Sequence, residues 1–301
     1  MSFSVGAIFV NLVSLYFDSA DQLLLLFIVL LFVLLLPNLL LLKESPGWLF
    51  KEKRFEQTAR VLFQVWIYNG KPSGITSSYF TRLQEKMETD EFESPSMQAD
   101  STLTLLSKLA LLWNNKEHRI ALLTLSSLSS SLFCLYYGTS SNIQAMGFER
   151  IQYNGILSGA TQGLGFVIVS PFLYKYPRRT AFYFIQSFIL ACTGLLFLLS
   201  FLGLGSASGV IQGIIANLLI SLATSAFFCF LYIANAESFP AHIRGIAVGV
   251  ILLTGKLVGS LAPILSTFSA SHKLHVLVGC ALPMIGSLLL TTHFKETLLF
   301  Q

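Results

Sequence analysis

The chain has 301 residues, of which 54% are hydrophobic and only 11% charged, far below the charged share of an ordinary soluble domain. Its formal charge of +4 is too small to indicate nucleic acid as a partner, and its four cysteines, all inside apolar runs, show neither metal-ligand spacing nor a disulfide framework. Such a composition belongs to an all-α polytopic membrane protein whose first partner is the lipid bilayer.

In chain order, Gly6–Phe17 is an apolar segment of marginal length. With no basic residue ahead of it and no clear cleavage site, it reads as a shortened membrane helix rather than a signal. Asp18 and Asp21 link it to the Leu-rich run Leu23–Leu42, long enough to cross, since about 20 apolar residues cover a hydrocarbon core of roughly 30 Å. Pro37 and Asn38 are expected to kink it. After Lys43-Glu44-Ser45-Pro46-Gly47-Trp48-Leu49 comes Lys51–Asn69, which places Phe55, Ala59, Leu62 and Trp66 on one helical face and is stopped by Gly70. This amphipathic helix is expected to lie on the membrane surface or under the bundle. Residues 83–101 are acidic and poor in apolar side chains, and are expected to form a flexible loop. A short helix, Leu103–Trp113, leads into six regularly spaced apolar runs at 120–137, 155–174, 180–204, 210–234, 246–268 and 274–292. The pair His272 and His275 falls between the last two and reads as a solvated loop rather than a metal site.

Charge distribution sets an expected orientation. If 43–119, 175–179, 240–245 and the C-terminus share one side, that side holds 16 of the 19 Lys and Arg residues. By the positive-inside rule it is cytoplasmic, and with eight spans both termini are cytoplasmic too.

Within the spans, Lys256 stands out. A lysine near mid-span costs roughly 2.5–3.5 kcal/mol on insertion scales, and no Asp or Glu lies inside another span to pair with it. A water-filled cavity is the comfortable location, so Lys256 is the leading substrate-binding candidate. Asn217, Ser221 and Thr224 fall at i, i+4 and i+7 and form a polar stripe, which either lines a cavity or bonds neighbouring helices. Tyr136, Tyr137, Tyr153 and Asn154 are candidates to stack on or hydrogen-bond an amphipathic ion, interfacial anchoring being the alternative for each tyrosine. Gly155, Gly159 and Gly163, Gly245 and Gly249, and Gly255 and Gly259 follow small-xxx-small spacing, which signals close helix packing. There is no credible nucleophile–base or metal constellation, so an enzyme is not expected, and no cofactor is implied.

Several motifs carry a family resemblance. Tyr232, Glu237, Pro240, Arg244 and Gly245 form a turn that resembles the helix 10–11 turn of the major facilitator superfamily, closest to its organic cation and anion transporter branch. Glu44-Ser45-Pro46-Gly47-Trp48-Leu49 resembles the signature after helix 6, with Lys43 replacing a proline and Gly47 an arginine. Tyr136-Tyr137-Gly138 with Asn142 is similar to the close of helix 7, Lys175 to Arg179 to the basic turn between helices 8 and 9, and Lys295-Glu296-Thr297 to the C-terminal tail motif. The resemblance implies a C-terminal six-helix bundle (119–301), a cytoplasmic loop with amphipathic helices (44–118) and the last two helices of an N-terminal bundle (1–43). Four further helices are expected upstream. It implies alternating-access transport of a small organic ion at the plasma membrane.

Lys256 lies seven residues before Pro263 and twelve after Arg244, which in that branch is a charge-selectivity position. A cation there implies an anionic substrate. Gln162 stands where the branch has an acid, which again favours anions. Glu237, Arg244, Arg178, Arg179 and Glu44 are the implied cytoplasmic gate, although turn charges that anchor topology account for the arginines equally. Without a membrane carboxylate in these spans, facilitated diffusion or exchange is favoured over proton symport. The competing expectation is a non-transporting partial carrier that associates with an intact one.

Overall fold

The computed structural model describes residues 2–17, 19–41, 44–70, 77–88, 104–141, 150–173, 175–202, 211–212, 215–272 and 277–294. Lys43, Asn142, Lys273, His275 and the Lys295–Thr297 motif lie outside them, as do the side chains of Asn217, Pro37 and Asn38. No strand occurs among the described residues. They form two compact units, one from residues 19–104 and one from 1–18 with 105–301.

In the 19–104 unit, α2 (Ala20–Leu41) stays helical through Pro37. The helix α3 (Pro46–Lys51) owes its start to the Ser-Pro pair: the Ser45 hydroxyl accepts the Trp48 N–H at 3.1 Å, and Pro46 sits where a helix needs no N–H. The amphipathic helix α4 (Phe55–Tyr68) ends as expected, with Gly70 in the left-handed region at φ 76°. Its Phe63 and Trp66 meet Phe80 of α5 (Ser77–Glu88) at ring separations of 5.4 and 5.7 Å. The expected loop from residue 83 is thereby corrected: the chain is helical through Glu88, since aromatic packing on α4 stabilises a helix that composition alone would not. Residues 89–101 of that loop are outside the described set.

The other unit contains α1 (Ser2–Val13), α6 (Leu105–Asn114), α7 (Lys116–Ser141) and α8 (Ile151–Val169), which a 3-10 turn at Ser170–Phe172 prolongs. Then come α9 (Arg178–Leu202), a π-helical turn at Ile215–Ile220 running into α10 (Ser221–Glu237), and α11 (Ala241–Gly259). After α11 follow α12 (Ala262–Ser271), α13 (Leu277–Cys280) and α14 (Leu282–Thr291). Five helical runs are long and apolar enough to cross a membrane: Lys116–Ser141, Ile151–Phe172, Arg178–Leu202, Leu218–Glu237 and Ile243–Ser269. Ser4–Val13, Ala20–Leu36 and Leu277–Thr291 are shorter apolar helices. The break between α11 and α12 has a local cause, because Pro263 has no N–H to return to the Gly259 carbonyl.

The helix α7 is the hub, packing against α6 and against α10 through α14. Glycines set the closest contacts. A Cβ on Gly259 would stand 2.6 Å from the Tyr137 ring, and one on Gly255 would overlap the Ser129 hydroxyl, so α11 lies directly on α7. Gly155 and Gly159 do the same for α1 and α8: Asn11 fills the space over the first, and a Cβ on the second would be 2.9 Å from Ile8 Cγ1. Gly245 and Gly249 are different. A Cβ at either would meet nothing within 4 Å among the described residues, so the packing role expected for them is not seen.

A buried polar network joins three helices at one level. Gln186 on α9 donates to Thr291 Oγ1 (3.1 Å), and Ser287 on α14 donates to Gln186 Oε1 (3.1 Å) and lies 3.2 Å from Ser131 Oγ on α7. Such groups find no water in a bilayer core, so satisfying one another fixes how the helices sit.

Candidate functional site

Two places in the bundle hold groups that composition alone would not put there. The first is the end where α9 begins and α10 finishes. Arg178, only 3% exposed, donates from Nε to Glu237 Oε2 (3.1 Å) and from Nη2 to Oε1 (2.9 Å), while Nη1 reaches the Leu173 carbonyl. This planar fork on a carboxylate is the strong form of an ion pair. Its guanidinium also stands 6.0 Å from the Phe230 ring.

Helix polarity works against both charges. Arg178 is the first residue of α9, at the positive end of that helix dipole, and Glu237 is the last of α10, at a negative end. Each is disfavoured alone by about 0.3–1 kcal/mol and relieved by the other. The pair therefore stabilises this end only while the two helix ends stay together.

The remaining charges expected at a gate divide. Arg244 donates from Nε to the Phe239 carbonyl at 3.1 Å, and Arg179 stands over Tyr183 at 5.9 Å, so both lie at the Arg178 end with other contacts. His118, at the start of α7, is 6.2 Å from Phe239, and Phe294 is 5.8 Å from Phe182. These contacts gather the starts of α7 and α9, the end of α10 and the residues after α14 at one end of the bundle. Glu44 belongs to the 19–104 unit, where its partner is Arg54 at 3.8 Å, both half exposed, with Arg54 5.4 Å over Trp48.

Two residues before Glu237, Asn235 is buried, and neither polar atom of its amide has a hydrogen-bond partner among the described residues. An unpaired buried amide costs about 1–3 kcal/mol, which marks this helix end as unrelaxed in this arrangement. Sequence reasoning missed it, because an Asn one turn from a helix end looks like an ordinary terminal residue.

The second place is the middle of the Ile243–Ser269 span, where Lys256 is the central residue. Its side chain is exposed on the bundle surface, and no hydrogen bond or ion pair reaches its ammonium among the described residues. The neighbouring edge of α11, Gly255 and Gly259, is pressed onto Ser129, Phe133 and Tyr137 of α7. Beside it runs an aromatic group shared by α7 and α10: Tyr136 and Phe133 stand 5.4 and 5.5 Å from Phe228, and Phe228 is 6.2 Å from Tyr232. Tyr136 and Tyr137 are thus in contact with each other (5.7 Å), and Phe228 joins them where the sequence reading had no aromatic candidate.

The other binding candidates are placed differently. Asn154 and Ser221 are fully buried between helices. Thr224 Oγ1 donates to the Ile220 carbonyl at 2.7 Å, closing the π-helical turn that breaks the register between Asn217 and Ser221. Gln162, half-buried on α8, donates to Ser158 Oγ at 3.3 Å. Lys256, Tyr136 and Tyr137 therefore come from adjacent helices, whereas Asn154 and Ser221 belong to helix contacts.

Two comparisons with known proteins bear on the site. Residues 1–292 match the family model described as "Sugar (and other) transporter". The chain is also 23% identical over 301 residues to mouse (Mus musculus) "Solute carrier family 22 member 4", covering 98% of this chain and 50% of that relative. The chain thus spans about half the length of the curated relative it matches.

Proposed function

The chain belongs to the sugar (and other) transporter family of the major facilitator superfamily, and on that premise we propose that it is part of a carrier that moves small organic anions across the membrane by alternating access. The observation that carries the anionic reading is Lys256: an exposed cation at the centre of a membrane span with no acidic partner among the described residues. A charge in that place is comfortable only where water or a counter-charged ligand meets it. The partly exposed aromatic group of Tyr136, Tyr137 and Phe228 offers the apolar portion of an amphipathic anion rings to lie against.

In this reading Lys256 selects the charge and the Arg178–Glu237 pair closes the cytoplasmic end, with Arg179 and Arg244 around it. Rocking around a midplane site needs two bundles, so the four helices expected upstream, or an intact carrier, supply the other wall. The positive-inside distribution of 16 of 19 Lys and Arg residues supports cytoplasmic termini, and the family resemblance supports the plasma membrane. Without a mid-span carboxylate among the described spans, facilitated diffusion or exchange is the reading for its energetics.

The test is uptake into cells expressing the full-length protein, with labelled organic anions and cations of matched size. Saturable uptake of anions, inhibited by other anions and not by cations, is expected. Saturable cation uptake alone would overturn the anionic reading and leave carrier transport standing.

A further inference from the structure

A groove on the outer flank of the bundle has no role in transport as described above. It encloses about 470 Å³ between α8, α9 and α10, and its walls include Ile168, Phe172, Phe184, Phe188, Leu222 and Phe230. It opens outward, since Phe184 is 74% exposed and Ile168 and Phe172 are also exposed. Among all its lining residues, only Tyr176 and Thr180 carry a hydroxyl, and both lie at the end where α9 begins. Next to them in sequence stand Lys175 and Arg179, both exposed. Of the acids at that end, Glu237 is engaged by Arg178, and Glu117 stands in the first turn of α7.

A cavity of this volume is in the range of small-molecule sites, yet it lacks the convergent polar groups with which such sites orient a polar ligand. An apolar slot open to the bilayer and basic at one end matches an amphiphile with a hydrocarbon chain and an acidic head. The polar end also lies at the depth of a head group, because it coincides with the end of a membrane-spanning helix. We propose that this groove is a binding site for an acidic phospholipid, with one acyl chain between α8, α9 and α10 and the phosphate against the exposed Lys175, next in sequence to the lining residue Tyr176. Phe230 lines the groove and also faces the Arg178 guanidinium, so the bound chain lies one side chain away from the Arg178–Glu237 pair.

The experiment places the purified full-length protein in phosphatidylcholine nanodiscs doped with a phosphatidylserine that carries a photoactivatable diazirine on its acyl chain. Labelled peptides are mapped by mass spectrometry, with unlabelled phosphatidylserine or phosphatidylcholine as competitor. Labelling should concentrate on peptides spanning 168–188 and 222–230, and phosphatidylserine should compete several-fold better than phosphatidylcholine. The variant Lys175→Gln should lower labelling about fivefold, the factor expected for one lysine beside an anionic head group. The variant Ala226→Leu, which fills the groove from α10, should lower it without changing the head-group preference.

Three results would overturn the proposal. One is labelling spread over the apolar exterior with equal competition by both lipids, which is ordinary boundary lipid. Another is labelling unchanged in Lys175→Gln. The last is a groove free of lipid label and cross-linked instead to another protein segment. None of these outcomes touches the transport reading, which rests on Lys256.

Discussion

The variant Glu237→Gln tests whether the Arg178–Glu237 pair is a moving part. In the structure Arg178 is 3% exposed and the Glu237 side chain 25% exposed, and the pair makes two bonds of 3.1 and 2.9 Å. Removing one charge of a fully buried pair costs about 3–5 kcal/mol. Here the carboxylate is partly wet, glutamine keeps one oxygen as acceptor, and the adverse helix dipole no longer acts on residue 237. A loss of about 2 kcal/mol is therefore expected for this arrangement alone. An arrangement with the helix ends apart loses nothing, so the equilibrium between the two moves about 30-fold towards it. The proposed alternating-access cycle visits both, so maximal uptake should fall about tenfold or more, while equilibrium binding of substrate changes much less.

The swap Arg178→Glu with Glu237→Arg sharpens the test. It restores the pair and turns both charges to the favourable ends of their helix dipoles. Thermal stability should return to the wild-type value or exceed it, and uptake should stay slow. The assay is initial uptake at saturating substrate, with binding to isolated membranes, melting temperature and surface expression measured in parallel. Wild-type uptake by both variants at normal expression would refute the gate, and a rate that falls only through lost affinity would move Glu237 into the binding site.

Packing and polar satisfaction set further outcomes at three positions. Gly159→Val should destabilise the protein by about 1–3 kcal/mol in thermal melts, since a Cβ there meets the Ile8 N and Ser4 O backbone atoms at 3.3 Å and neither can yield easily. Asn235→Leu should raise the melting temperature by removing a buried amide that has no partner among the described residues, and slow uptake by favouring this arrangement over the other. Gln186→Leu should cost only about 1 kcal/mol, because Ser287 and Thr291 keep bonds to their own helix. Gln186→Glu should cost several times more, for want of a buried cation.

Much of the fold was legible because a bilayer imposes a simple grammar. The helices long enough to cross, Lys116–Ser141, Ile151–Phe172, Arg178–Leu202, Leu218–Glu237 and Ile243–Ser269, fall on five of the expected apolar runs, and Gly70 ended the amphipathic helix where its left-handed backbone requires. The Gly255 and Gly259 spacing announced a close contact and delivered one. The same spacing at Gly245 and Gly249 did not, since small residues permit an approach without specifying a partner. The packing of α1 along α8 was not readable at all, because it depends on which of several apolar faces finds the Gly155–Gly159 surface. At the candidate site, Arg178 and Glu237 read as members of one cytoplasmic cluster of charges, but which of those charges pair was not legible. Their bidentate pairing needed the antiparallel arrangement of α9 and α10. Phe228 was hidden among 26 phenylalanines, and only its place between Tyr136 and Tyr232 distinguishes it.

Charge reversal at Lys256, the residue proposed to set the sign of the transported charge, is the decisive measurement. A lone ammonium attracts anions and repels cations, and both effects grow as hydration around it falls below that of bulk solvent. Uptake of labelled organic anions and cations should be compared between wild type and Lys256→Asp at matched surface expression. Lys256→Asp should abolish anion uptake and admit organic cations, while Lys256→Arg should keep anion uptake with an altered preference among carboxylates, because a planar fork binds them differently from a point charge. Equal anion uptake by wild type and Lys256→Asp would contradict the account and assign Lys256 to structure alone.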